Sequence, residues 1–326
     1  MTPRQVIRLA AALGLLLLVW VAVALGRRSG RDSEQRFTLP AVDTARVDSV
    51  VITWATDTAA LARVRPGEWK VNGHPTAAGA VKDLLVALAD TAAAGDLVAQ
   101  STASHGALGV DSAGGRRLRV VAGGKTVADL VIGNGGQVYG TGYVRRTGEA
   151  PVYLVRTQLV PLARRSPDEW RDRVIAKFPS DSITRIEVER GRGRERYALR
   201  RKGATWVFAS GAPADSSAAA VLLREVSEVD AAGFASPAQA DSARFAPPRR
   251  RLRLSGPGGK TLLSLVFDST AGGVWVRRDS GGTVYRLDLW ETERLTPAES
   301  TLKVRTPAKA GRPAAPRPGK STASGS

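Results

Sequence analysis

The sequence of 326 residues contains no cysteine, only two histidines and few aromatic residues, 6% in all. Without cysteine the chain can form no disulfide, thiolate metal site, cysteine nucleophile or lipoprotein anchor. The histidines, His74 and His105, have no histidine or cysteine partner at metal-ligand spacing, so we expect both at the surface and predict no metal or cofactor. With 43% hydrophobic residues the chain can still build a core in two ordinary domains.

Recognisable catalytic motifs are also missing. GGKT occurs at 123–126 and 258–261, but Arg119 and Leu254 stand where a phosphate-binding loop needs its first glycine. We therefore predict a turn between two strands at each GGKT, and a loop between strands at 133–136. No Gly-x-Ser-x-Gly nucleophile elbow is present. We therefore predict that the protein is not an enzyme. A hydrolase is the least favoured of three hypotheses, after the two binding functions given below.

Positive charge is concentrated at the two ends of the chain. The formal net charge is +18. Residues 1–31 contain five basic residues and residues 303–326 contain six, and neither stretch contains an acid, so the ends carry eleven of these charges. A nucleic-acid-binding domain concentrates positive charge in its fold, which is only mildly basic here, and nucleic acid is therefore not the predicted partner.

One long apolar run lies near the N-terminus. Residues 9–26 carry no charge and are bounded by Arg8 and Arg27. A run of 18 residues reaches the lower limit for a helix that spans a bilayer, and the arginines can snorkel to the headgroups. We predict a single-pass anchor over residues 1–31, with the following side chains in lipid: Leu9, Leu15, Leu16, Leu17, Leu18, Trp20 and Leu25.

A cleaved signal peptide is the competing hypothesis for this run. Ala22-Val23-Ala24 has the small-x-small form of a cleavage site, although the run is longer than a usual signal core. Two arginines precede the span and three follow it, so charge alone leaves the orientation open.

The rest of the chain repeats one pattern twice, at offsets of 132 to 138 residues. Each copy has a strand, a short strand with one tryptophan (Trp69 or Trp206), a Gly-x-Pro turn, an amphipathic helix and several antiparallel strands. We predict a third tryptophan, Trp275, in the core as well. The helical stripes are Val81, Leu84, Leu85 and Leu88, and then Ala219, Leu222, Leu223 and Val226.

The predicted fold class is therefore α+β, with two tandem copies of a β-rich module after a single transmembrane helix. The modules occupy residues 40–165 and 179–303. A linking helix is predicted over 166–178, where Ser166 and Glu169 can form a capping box. The stretch 304–326 is rich in Pro, Ala, Lys and Arg without apolar periodicity, which predicts disorder.

Twin arginines recur on the penultimate strand of both copies, as Arg145-Arg146 and Arg277-Arg278. These four are the candidate contacts for a ligand or partner. Because neighbouring residues of a strand face opposite sides, at most one of each pair can point into a shared groove. A solvated sheet face is the alternative.

This pattern resembles the family known as domain of unknown function 4340. The resemblance covers roughly residues 40–300. The second copy departs from the family pattern, because residues 245–248 (FAPP) replace its Leu-Gly-x-Asp element. The matching residues are Trp69, Pro75, Leu84, Leu85, Leu88, 106–111 (GALGVD), 132–133, 143–145, 152–153 and 170–173.

The resemblance implies single-span membrane proteins without an assigned activity, whose genes often lie beside those of gliding-motility-type ABC transporters. It supplies no catalytic residues. We therefore expect a binding or scaffold protein of the cytoplasmic membrane with its modules on the periplasmic side, an accessory to an ABC-type transporter. The alternative is a binder of acidic envelope polymer or anionic lipid through the basic tail.

Overall fold

The computed structural model describes residues 19–20, 36–90, 94–270 and 272–304. Of the residues predicted to anchor the chain it describes Trp20, which is helical and exposed; the anchor leucines lie outside the described residues. Within the described ranges, no helix combines the length and the apolar character that a membrane crossing requires. The tail predicted to be disordered also lies outside them, apart from Val304.

The fold is α+β and rich in β-structure, as the sequence predicted. The chain divides into a first unit, Met1–Asp172, and a second unit, Arg173–Ser326. The boundary falls inside the segment that was predicted to link two modules.

In the first unit the described residues form one antiparallel sheet of ten strands. Across the sheet the order is β1 (Arg36–Thr38), β6 (Ala94–Ala99), β10 (Val152–Arg156), β9 (Thr141–Arg146), β8 (Lys125–Gly135), β7 (Arg116–Ala122), β2 (Val47–Trp54), β3 (Asp57–Arg65), β4 (Glu68–Val71) and β5 (His74–Pro75). The helices are α1 (Ala78–Ala89), α2 (His105–Leu108), α3 (Leu159–Ala163) and α4 (Pro167–Trp170). Short 3-10 helices cover Thr44–Arg46 and Thr102–Ser104.

In the second unit the described residues form an antiparallel sheet of eight strands. Its order is β14 (Thr205–Phe208), β13 (Glu195–Lys202), β12 (Arg185–Arg190), β17 (Arg250–Ser255), β18 (Thr261–Thr270), β19 (Gly273–Arg278), β20 (Tyr285–Leu287) and β16 (Gly233–Phe234). A separate ribbon pairs β11 (Val174–Lys177) with β15 (Glu228–Asp230). The helices are α5 (Ser216–Ser227), α6 (Pro237–Ser242) and α7 (Leu289–Leu295), with 3-10 helices at Ser180–Ser182, Pro257–Gly259 and Glu299–Leu302.

The segment 166–178 is helical only at its start, so the prediction of a helix throughout is wrong. The capping box forms, with the Ser166 N–H donating to Glu169 Oε2 at 2.7 Å. The helix ends at Trp170, and Val174–Lys177 is strand β11. The β-branched neighbours Val174 and Ile175 favour a strand. Ile175 is fully buried in the core of the second unit.

Each unit packs its twelve-residue helix on one face of its sheet. The predicted apolar stripes of α1 and α5 are confirmed, because three residues of each are buried in the core and the fourth packs against it. The predicted core positions of Trp69, Trp206 and Trp275 are also confirmed. We call the opposite face of each sheet its outer face. It is covered in part by residues 101–115 in the first unit and 236–249 in the second, which we call the cover segments.

Both GGKT sequences lie at turns between strands, as predicted. Gly123 and Gly124 have φ values of +57° and +74°, which glycine adopts without strain. The predicted loop at 133–136 is wrong for its first three residues, since strand β8 continues through Gly135.

Candidate functional site

The four candidate arginines are divided between the two faces of their sheets, as strand alternation predicted. Arg145 and Arg277 lie on the outer faces, where the registers place them opposite Val131 and Val266. Arg146 and Arg278 lie on the helix-side faces, two residues after the buried Val144 and Val276 of the same strands. The structure therefore does not bring the members of either pair together in one groove.

The outer-face arginines hold the cover segments in place. Arg145 Nε–H donates to the carbonyl oxygen of Val110 at 2.8 Å. The Arg277 guanidinium lies over the ring of Phe245, 4.7 Å from its centroid. Both contacts join strand to cover segment, by a hydrogen bond in one unit and by a cation–π contact in the other.

The helix-side arginines also contact their own unit. Arg146 lies over the Phe37 ring at 4.8 Å and pairs with Glu149 at 3.8 Å. Arg278 donates to the carbonyl oxygen of Ile175. All four predicted contacts thus have intramolecular partners, and these contacts tie strands to neighbouring segments.

The Leu-Gly-x-Asp element of the first unit packs closely against strand β8. A Cβ placed on Gly133 would lie 2.5 Å from the Leu108 carbonyl oxygen, so only glycine allows the cover segment to approach β8 this closely. Asp111 Oδ1 accepts the Gly114 N–H at 2.8 Å and fixes the turn that follows. In the second unit Asp268 stands at the position of Gly133, and its carboxylate accepts the Arg244 N–H at 2.7 Å.

The two histidines lie in different parts of the first unit. His105 is half-buried at the start of α2, and its Nε2 is 2.8 Å from the Ala150 carbonyl oxygen. His74 is exposed in the turn before α1, as predicted; partial burial of its ring, and then Arg171, lower its pKa. Among the described residues no cluster of three or more His, Asp or Glu side chains could hold a metal.

An open groove of about 480 Å³ lies on the outer face of the first sheet, and we call it the first groove. Arg117 and Arg119 line it from strand β7, and the predicted contact Arg145 lines it from strand β9. Both contact Asp129: Arg117 donates to Oδ1 and Oδ2 at 2.9 and 2.7 Å, and Arg119 Nε lies 3.5 Å from Oδ2. The hydrogen bond from Arg117 is the largest cause that lowers the pKa of Asp129, which keeps the carboxylate charged.

A second groove, of about 350 Å³, lies on the outer face of the second sheet, over strands β12, β13 and β17. Arg251 and Arg253 line it from strand β17, and Glu187 and Glu189 line it from strand β12. The β12–β17 register sets Glu187 opposite Arg253 and Glu189 opposite Arg251. Two arginines at alternate positions of one strand therefore line a groove in each unit.

Sequence reasoning missed these four groove arginines. The signal was the alternation in 116–121 (RRLRVV) and 250–255 (RRLRLS), in which arginines two apart share one face of a strand. The predicted contacts were instead two pairs of adjacent arginines, whose side chains point to opposite faces of the sheet.

Comparison with known proteins gives one match. The family described as "Domain of unknown function (DUF4340)" matches residues 69–248, more than half of the chain. The match begins at the tryptophan strand β4 and ends just before strand β17, so it includes residues of both units. Neither the curated proteins nor the solved structures give a match.

Proposed function

Since the chain belongs to the DUF4340 family, we propose that it is a non-enzymatic binding or scaffold protein anchored in the cytoplasmic membrane, with both units on the periplasmic side. The observation that carries the proposal is the pair of open grooves, each lined by two arginines of one central strand. Guanidinium groups on a rigid sheet can bind acidic groups of a partner with fixed geometry. The partner that we propose is an ABC-type transporter, to which the protein is an accessory.

We further propose that the two units are copies of one module. The order β4–β3–β2–β7–β8–β9–β10–β6 in the first sheet has the same connections as β14–β13–β12–β17–β18–β19–β20–β16 in the second. The registers support the same equivalence. Arg119 pairs with Asp129 as Arg253 pairs with Ser264, and Val131 pairs with Arg145 as Val266 pairs with Arg277.

The absence of cysteine allows a direct test of location. Tyr139→Cys in the first unit and Leu289→Cys in the second each introduce a unique thiol at a side chain that is 94% and 64% exposed. A membrane-impermeant maleimide should label both variants in intact spheroplasts. Labelling that requires lysis would contradict a periplasmic location.

The partner is tested by affinity purification of the full chain from membranes in mild detergent, after cross-linking in cells. We expect permease or ATP-binding subunits of one transporter among the recovered proteins. A variant with Arg117→Gln, Arg119→Gln, Arg251→Gln and Arg253→Gln should recover less of them. Recovery of no transporter or envelope component would contradict the accessory function.

The basic tail favours a second candidate function, binding of an acidic envelope polymer or of anionic lipid. Residues 305–326 contain five basic residues and no acid. Lys303 belongs to the folded part, because its Nζ lies 3.0 Å from Glu299 Oε1 and its backbone forms a β-bridge with Ala214. Deletion should therefore start at Arg305. It should abolish salt-sensitive retention on anionic vesicles or cell-wall material, and unchanged retention would exclude this function.

A further inference from the structure

The grooves differ at one pair of equivalent positions. In the first unit Asp129 lies on β8 opposite Arg119, and the Thr147 hydroxyl donates to Asp129 Oδ1 at 2.7 Å. The Thr147 N–H also donates to the Asp129 carbonyl oxygen at 3.1 Å. Asp129 thus supplies a carboxylate to both arginines of the first groove.

In the second unit the acidic residue and the hydroxyl residue have exchanged positions. Ser264 lies opposite Arg253, where the first unit has its aspartate, and Asp279 takes the place of the threonine. The backbone hydrogen bond is the same in both units, since the Asp279 N–H donates to the Ser264 carbonyl oxygen at 2.9 Å. The Ser264 hydroxyl donates to Asp279 Oδ2 at 3.2 Å, so this carboxylate lies on the far side of the serine from the arginine pair.

The exchange leaves Arg251 and Arg253 without an acidic partner. Neither side chain makes a hydrogen bond, ion pair or ring contact with any residue that the structure describes, and Arg251 Nε is buried. The nearby glutamates are engaged elsewhere. Glu187 pairs with Arg185 at 2.7 Å and Glu189 pairs with Arg196 at 3.7 Å. The guanidinium groups of Arg251 and Arg253 therefore have N–H groups without an acceptor in the described part of the chain, and a bound carboxylate can accept hydrogen bonds from their terminal nitrogens.

We propose that Arg251 and Arg253 bind a carboxylate side chain of an acidic peptide segment of a partner protein that lies in the second groove, which strands β12, β13 and β17 line. The proposal deepens the binding function proposed above and rests on it. The first unit holds the expected geometry within the same molecule, in the two-pronged contact from Arg117 to Asp129.

The charges in the second groove favour a carboxylate over a phosphate. The charged side chains of the groove lining are Arg196, Arg251 and Arg253 and the two glutamates Glu187 and Glu189. Their sum is one positive charge, which a single carboxylate balances and a phosphate with nearly two negative charges exceeds. The open groove also leaves room for an extended peptide backbone beside its acidic side chain.

The test uses the full chain in detergent at low salt, with acetyl-Ser-Glu-Ser-amide as the probe and binding followed by saturation-transfer NMR. Acetyl-Ser-Gln-Ser-amide is the matched probe without charge, and inorganic phosphate and anionic vesicles are the other arms. We expect the glutamate probe to bind at least about tenfold more tightly than the others, since a charge-assisted hydrogen bond has about that effect on affinity.

Two double variants exchange the positions of the acidic residue and the hydroxyl residue, one variant in each unit. Ser264→Asp with Asp279→Thr gives Arg251 and Arg253 an internal carboxylate on strand β18, as Asp129 does for the arginines of the first unit, and should weaken binding about tenfold. Asp129→Ser with Thr147→Asp frees Arg117 and Arg119, and should add a second binding site. Lys260→Gln removes an exposed charge outside the groove and should change nothing. Thermal unfolding establishes that each variant is folded.

Unchanged binding by the Ser264→Asp/Asp279→Thr variant would overturn the proposal, as would equal binding of the glutamine probe. Binding of phosphate or vesicles alone would overturn the choice of an acidic peptide. If a transporter is recovered from membranes but the glutamate probe does not bind, the carboxylate site fails and the binding function stands. If the probe binds as expected but no envelope protein is recovered, the accessory function fails and the site stands.

Discussion

The outer faces of the two units each carry a pair of arginines, but they differ in the acidic residues placed beside that pair. Both sheets place two arginines at alternate positions of one central strand, β7 or β17. The first unit pairs both arginines with one carboxylate, Asp129 on the next strand. The second unit places glutamates on the neighbouring strand, and these pair with other arginines. Sheets with the same strand order therefore carry an arginine pair with an internal carboxylate in one unit and without one in the other.

The cover segments show a second difference. In the first unit the cover segment approaches so closely that Gly133 must lack a side chain. In the second unit Asp268 occupies this position, is 5% exposed and accepts a backbone hydrogen bond from the cover segment. Close packing in one unit corresponds to a polar contact in the other. The cover segments therefore differ more between the units than the helices do.

The largest expected effect tests what the units share. Leu84 and Leu222 occupy matching core positions of α1 and α5, with 0% and 2% exposure. Leu84→Ala and Leu222→Ala should each lower the free energy of unfolding by about 2–5 kcal/mol, because each leaves a cavity under its helix. Urea denaturation measures both. A loss in one unit only would show that the helices do not have the same role.

The next effect tests the first cover segment. Gly133→Ala should cost about 1–3 kcal/mol, because the new methyl group would overlap the Leu108 carbonyl and force the segment away. Gly79→Ala is the control. A Cβ on Gly79 meets no atom within 4 Å, and alanine should stabilise helix α1 by up to about 1 kcal/mol. If Gly133→Ala were as stable as wild type in thermal unfolding, the close contact would not matter.

Gly133 also shows where sequence reasoning reached its limit. The helical stripes, the tryptophans and the capping box were predictable, because each depends on residues close together in the sequence. Glycines 133 and 135 read as a loop for the same local reason. Gly133 lies against the Leu108 carbonyl, 25 residues earlier in the chain, and Gly135 pairs with Gly142 of strand β9, so neither position follows from the local sequence.

Strand β11 and the groove arginines were missed for related reasons. Val174–Lys177 is a strand because it pairs with Glu228–Asp230, more than fifty residues away. A local capping signal predicted a helix there instead. Arg117 and Arg119 were visible in the sequence, but their common carboxylate, Asp129, is brought to them by strand register.

The first-groove ion pair should make stability depend on acid. Because the pKa of Asp129 is lowered in the folded chain, its contribution is present above the ordinary aspartate value of about 3.9 and is lost as pH falls through the lowered pKa. Asp129→Asn should cost about 1 kcal/mol at pH 7, since Arg117 is partly exposed. The difference from wild type should shrink as pH falls below about 4 and vanish only below the lowered pKa of Asp129, so it should be smaller at pH 3 than at pH 7. Urea denaturation at pH 7 and pH 3 measures it, and Ser264→Asn, without a charge to lose, is the matched control.

The smallest effect separates a packing role from a binding role for the arginines first predicted as contacts. Arg277→Ala removes the cation–π contact with Phe245 and should cost about 0.5–1 kcal/mol in thermal unfolding. It should leave binding of the glutamate probe unchanged, because the second groove is lined by Arg251 and Arg253. Phe245→Leu should destabilise the unit to a similar degree, and adding Arg277→Ala to it should then cost little, since the two residues act through one contact. If Arg277→Ala abolished probe binding without loss of stability, Arg277 would be a ligand contact and the division of the arginines between the two roles would have to be redrawn.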